Sequence, residues 1–182
     1  VQNETILTSP PSHPQRGRCG IQGIDVETNG EAKMNRQKIM DQLIIDEGKQ
    51  LTVYRDSVGL PTIGIGHLIL PSDNIPEGSE ISDERCKQLF QHDLDHAITQ
   101  AQIMFPALDI MPETIQEVIV NLIFNMGPKR LEGFHHFIAA INAKDYVEAA
   151  VQLKESAWYK QVGIRAIRLV TAVQECSDIL IV

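Results

Sequence analysis

Residues 39–66, IMDQLIIDEGKQLTVYRDSVGLPTIGIG, change hydrophobic period part-way along, and that change decides the fold. Ile39, Leu43, Ile44 and Glu47 fall on a helical repeat that Gly48 can end. Leu51 to Asp56 and Leu60 to Gly66 then place β-forming residues on either side of Ser57-Val58-Gly59, which predicts a small β-hairpin region. An acidic residue, Glu47, thus closes a helix, and a second, Asp56, follows at the end of the next strand.

Working outward, residues 1–33 carry Pro10, Pro11 and Pro14 and only isolated apolar residues such as Ile21, Ile24 and Val26. They read as a flexible or loosely docked extension, with residues 34–182 as the folded domain. Beyond the hairpin, Pro71, Asn74, Pro76 and Gly78 mark loops. Ser82 then reads as the N-cap of a long helix with Leu89, Phe90, Leu94 and Ile98 on its apolar face. Further helices are predicted over Pro112 to Met126, Leu131 to Ile141, Tyr146 to Leu153 and Ile164 to Cys176. A small β-containing lobe followed by a mostly helical one is an α+β architecture.

Composition narrows the function. No apolar stretch approaches the roughly 20 residues that span a bilayer, so membrane insertion is not expected. The net charge of −8 repels polyanions, and with no basic patch nucleic acid is not an expected partner. Cys19, Cys86 and Cys176 lack zinc-site spacing, and leave open one disulfide with one free thiol or three thiols. His92 and His96 stand one helical turn apart but lack an indicated third ligand, and neither metal nor cofactor is expected. His135-His136 reads as a solvated pair with one side turned inward, Trp158 as core, and Cys86 as a small hydrophobe. Asn3-Glu4-Thr5 fits a glycosylation triplet, a pattern short enough to arise by chance.

Hydrolysis of a glycosidic bond needs a proton donor for the leaving oxygen and a group that activates water or attacks the sugar, commonly two carboxylates. Glu47 and Asp56 fit that need, since the chain can turn between them and place them on opposite walls of a cleft. The surrounding motifs, Ile45-Asp46-Glu47-Gly48, Tyr54-Arg55-Asp56 and Thr62-Ile63-Gly64-Ile65-Gly66-His67-Leu68, resemble the active-site stretch of the phage lysozymes, glycoside hydrolase family 24. Two later blocks extend the resemblance: Asn121 to Gly127 with Gly133-Phe134, and Glu148-Ala149-Ala150, Ser156 to Tyr159 and Arg165 to Arg168.

The resemblance implies a lysozyme-like fold with the cleft between its lobes, and bacterial peptidoglycan as substrate. By it, Glu47 protonates the leaving group, while Asp56 and Thr62 hold the attacking water, with inversion at the anomeric carbon. It also implies that Arg165 pairs with Glu47, Arg168 with Asp46 and His67 with Asp93, and that Leu68, Phe124 and Gln152 line the sugar path. The stretch between His67 and Asp93 is shorter than in the T-even phage enzymes, which implies a reduced β-lobe. Phe137 stands where those enzymes carry a small polar residue near the cleft. Action at the bacterial cell wall follows, reached by phage release or by secretion. Two further readings are a wall-binding or inhibitory module without turnover, and a hydrolase directed at chitin. Oligomeric state is left open.

Overall fold

The computed structural model describes residues 34–56 and 59–179. The expected extension over residues 1–33, with Cys19 and the Asn3 triplet, lies outside them.

Helix α1 (Arg36–Glu47) starts at Asn35, whose side chain accepts from the Lys38 backbone N–H at 3.1 Å, and buries Ile39 and Leu43. Gly48, at φ 72°, ends it by donating its N–H to the Ile44 carbonyl at 3.0 Å. A side chain is disfavoured at that φ, so glycine is what lets the chain leave Glu47 and turn at once into a strand. The predicted hairpin region is a three-stranded antiparallel sheet, β1 (Gln50–Arg55), β2 (Pro61–Gly64) and β3 (His67–Leu68), in that order. Tyr54 lies opposite Thr62 in the first ladder; Thr62 lies opposite Leu68 and Ile63 opposite His67 in the second. β2 is the buried strand, with Ile63 and, just past its end, Ile65 in the interior.

Ser82 caps α2 (Asp83–Met104) by accepting from the Arg85 N–H, and Leu89, Phe90 and Leu94 are buried along its apolar face. Helix α3 (Glu113–Met126) begins one residue later than predicted, with Pro112 as its cap rather than in its first turn. It is apolar nearly all round, and it packs on α1, α2 and the helix over Ile164–Ile179, as a central helix must to hide that surface. The helix predicted over Leu131 to Ile141 is two: α4 (Pro128–Glu132) and α5 (His135–Asn142). Pro128 starts a separate helix after Gly127, and the Gly133 N–H closes it on the Arg130 carbonyl, so the chain re-aims at Gly133-Phe134. Asp145 caps α6 (Tyr146–Glu155). A short α7 (Ala157–Val162), capped by Ser156 and not predicted, precedes α8 (Ile164–Ile179).

One continuous hydrophobic cluster joins α1, α2, α3, α5, α6 and α8. Trp158 sits inside it, 1% exposed, with its indole N–H donated to Asn125 Oδ1 at 2.8 Å, which removes the cost of burying that donor. Cys86 and Cys176 are also buried; the Cys86 sulfur rests close against Gly64 of β2. Among the described residues no helix is long and apolar enough to cross a membrane.

Candidate active site

The end of α1 is wired to the far end of the chain. Arg165 Nη1, on the first turn of α8, donates to Glu47 Oε1 at 2.6 Å, while its Nε donates to Asn121 Oδ1 at 2.8 Å. The neighbouring Asp46 accepts from Arg168 Nη2 at 2.6 and 2.8 Å, from Asn121 Nδ2 at 3.0 Å and from Gln42 Nε2 at 3.1 Å, with Arg165 Nε 3.4 Å away. Asp46 and Arg165 keep under a tenth of their side-chain surface exposed. Two guanidinium groups therefore neutralise two carboxylates, and the Asn121 amide adds hydrogen bonds at the Asp46–Arg165 centre, where unpaired charge is costly. Asn121 is the pivot, because its amide nitrogen serves Asp46 and its oxygen serves Arg165.

Glu47 is also held from the sheet side. Gly66 has φ +71°, and a methyl group there would come within 3.1 Å of Glu47 Oε2. The β2–β3 turn thus presses bare backbone against the carboxylate, and only glycine satisfies both the dihedral and the space. Gly66→Ala should push the Glu47 carboxylate off its position and add backbone strain of about 1–3 kcal/mol, lowering the melting temperature. A thermal melt checks this; a variant that melts like the wild type would show that neither the dihedral nor the contact constrains this turn.

Asp56 follows β1 directly. Its Oδ1 accepts from the Leu60 N–H at 2.8 Å, and its own N–H donates to the Leu60 carbonyl at 3.0 Å, which closes the turn around it. Arg55 braces the same turn by donating to the Gly59 carbonyl at 2.9 Å and to Glu77 at 2.7 Å. Thr62, 4% exposed, donates its hydroxyl to the Leu60 carbonyl at 3.1 Å, so its oxygen retains lone pairs for a further donor. Opposite it, the Tyr54 phenol is pushed above its ordinary pKa, first by burial and then by the negative charges of Glu47 and Asp56.

His67 on β3 is buried, with Nδ1 2.7 Å from Asp93 Oδ2 on α2. Leu68 beside it is largely solvent-facing. Phe124, half-buried on α3, meets Phe90 edge to face at 5.7 Å. Gln152 donates to Glu148 at 2.7 Å and lines a cavity of about 380 Å³ between α5, α6 and α7, together with Phe137 and Trp158. Phe137 is 1% exposed, so it serves the core as well as the cavity wall. His135 and His136 are both exposed at that cavity; neither turns inward, because Phe137 occupies the inward position of this turn. His92 and His96 are exposed, and among the described residues no group of three or more His, Cys, Asp or Glu is arranged to hold a metal ion.

Sequence reasoning missed Asn121, Tyr54 and Asp73 as individual site residues. Asn121 carried a signal, since a polar residue on the apolar repeat of α3 has to find buried partners. Tyr54 carried one too, lying two residues from Asp56 and so on the same face of the strand. Asp73, whose Oδ2 lies 3.3 Å from His67 Nε2, sits in a loop and carried none.

Residues 45–172 match the phage lysozyme family. Among curated proteins, the chain is 29% identical over 155 residues to a probable T4-type lysozyme of Dictyostelium discoideum, covering 73% of this chain and 91% of that one. It is 28% identical to the endolysin of Salmonella phage P22, covering 70% of this chain and 80% of that one. It is also 28% identical to the pre-baseplate central spike protein of Enterobacteria phage T4, over 80% of this chain but 28% of that longer protein.

Proposed function

The chain belongs to the phage lysozyme family, with its α+β lysozyme-like fold, and is a lysozyme-type glycoside hydrolase of peptidoglycan; from that premise we propose the bond, the mechanism and the residues. The bond is the β-1,4 linkage between N-acetylmuramic acid and N-acetylglucosamine. Glu47 is the general acid, giving its proton to the leaving glycosidic oxygen. On the opposite sugar face, one water donates a hydrogen bond to Thr62 Oγ1 and its other proton to the Asp56 carboxylate, which frees a lone pair to attack the anomeric carbon. Thr62 suits this because its own hydroxyl hydrogen is spent on the Leu60 carbonyl. Leu68, Phe124 and Gln152 are assigned to the sugar path, and Arg165, Arg168, Asp46, His67 and Asp93 to holding the site in shape.

The observation that carries this reading is Glu47 held by Arg165 at the end of α1, next to a sheet in which Thr62 lies opposite Tyr54 and Asp56 follows directly on β1. The catalytic unit is assigned to residues 34–182, which contain the family match, with residues 1–33 as an extension outside it. The place of action is the bacterial cell wall.

Direct attack by water inverts the anomeric centre and needs room for it, with carboxyl groups roughly 6.5–9.5 Å apart in such enzymes. The first product from a β-linked substrate is therefore the α-anomer. NMR of fresh digests of soluble peptidoglycan fragments tests this before mutarotation mixes the anomers. A β-anomer would rule out direct attack and make Asp56 a nucleophile or call for two displacements. Absence of new reducing ends would return the chain to a binding module without turnover.

A further inference from the structure

β3 is two residues long, too short for its ladder alone to fix it. Yet it carries the exposed Leu68 and follows directly on Gly66, which abuts the Glu47 carboxylate. What holds it is His67, whose side chain is only 6% exposed and whose two ring nitrogens both meet carboxylates. Nδ1 lies 2.7 Å from Asp93 on α2, and Nε2 lies 3.3 Å from Asp73 in the short turn Pro71–Asp73. Asp73 Oδ2 also accepts the Leu70 backbone N–H at 2.5 Å, so one carboxylate ties the turn both to the chain leaving β3 and to the imidazole on it.

We infer that Asp73 is a positioning residue: acting through His67, and opposite Asp93, it clamps β3 against α2 and so fixes Leu68 at the lip of the sugar path. The assignment rests on the lysozyme reading for the role of Leu68, whereas the clamp itself stands on the contacts.

Both carboxylates accept, so the imidazole satisfies both only as the imidazolium, with an N–H on each nitrogen. Burial of the ring lowers its pKa, but the hydrogen bonds and charges of Asp93 and Asp73 outweigh it, and the net shift is upward from 6.5. For Asp73, burial raises the pKa, but the Leu70 N–H, then His67, then the charge of Arg85 on α2 bring it below 3.8. His92 on α2 lies 3.4 Å from the other oxygen of Asp93. With a raised folded-state pKa, the clamp's stabilisation is complete below the ordinary histidine value and is lost as pH rises through the raised one. Deprotonation leaves one nitrogen without its hydrogen, so one arm opens.

The full chain is compared with Asp73→Ala and Asp73→Asn, the latter keeping an acceptor for Leu70 while removing the charge. NMR titration of the histidines, amide exchange over residues 68–73, and kcat and KM on soluble peptidoglycan fragments are measured across pH. In the wild type, KM should rise as pH passes the His67 pKa. In Asp73→Ala that pKa should fall, exchange should quicken, and KM should rise several-fold at neutral pH with kcat near native; Asp73→Asn should lie between. An unchanged His67 titration in both variants would show that Asp73 does not hold the ring. A lowered pKa with unchanged KM would show that the clamp does not position the lip. If Asp73→Ala fails to fold, Asp73→Asn carries the same decision. A wild type without turnover overturns the lysozyme reading and the lip role with it, while titration and exchange still decide the clamp.

Discussion

Glu47→Gln should fold as the wild type does and lose hydrolysis by roughly 10²–10⁴-fold, the contribution of a positioned general acid. The amide keeps the shape of the carboxyl group and still offers an oxygen to Arg165 Nη1, now 2.6 Å from Glu47 Oε1. What it lacks is an acidic proton for the departing oxygen. Arg165 is not stranded by the change, because Asn121 accepts from its Nε and its Nη2, and Asp46 lies 3.4 Å from that same Nε. Clearing of a bacterial wall suspension and a thermal melt, run on the same preparations, separate chemistry from folding. A variant that melts like the wild type and clears walls at a similar rate would remove Glu47 from the role of acid.

Asp46→Ala should have the opposite character, with its main effect on stability. Asp46 accepts from Arg168, Asn121 and Gln42 and faces Arg165, all with 7% of its side chain exposed. Deleting it takes the carboxylate away from Arg168 and leaves the buried Arg165 guanidinium with Glu47 as its remaining carboxylate. Breaking a buried ionic cluster from one side costs about 3–5 kcal/mol, which for a domain of this size lowers the melting temperature by roughly 10 °C. Asp46→Asn, which retains an acceptor, should cost less. A melting change no larger than that from removing the exposed Glu77, the partner of Arg55, would show that the network is not a stabilising unit.

The helices were legible wherever a cap and a period agreed. Asn35 was overlooked as a cap, but Ile39, Leu43 and Gly48 were enough to end α1 at Glu47, and Ser82 with Leu89, Phe90 and Leu94 gave the start of α2. Period failed around Gly133, where Leu131 and Phe137 sit on different helices although both are buried. A break between two apolar residues leaves the same hydrophobic pattern as a continuous helix. The site divides in the same way. Glu47, Asp56 and Thr62 stand close together in the chain and belong to one recognisable stretch. The pivot at Asn121 and the clamp at Asp73 depend on which surfaces meet after folding. A 3.3 Å contact from a loop to His67 has no periodicity to betray it.

The bonds that steady Glu47 and Asp46 reach across 118 and 122 residues. During synthesis the ribosome releases both acids, the sheet and Thr62 long before Arg165 and Arg168 exist. Until then the two carboxylates have no guanidinium to face, and the wall around them is unfinished. A chain that stops early, through a premature stop codon or a nick before α8, therefore keeps every residue assigned to the chemistry while lacking what holds the acid in place. Because contacts of such long sequence separation close late in folding, the surroundings of Glu47 and Asp46 are complete only once α8 has been made and docked.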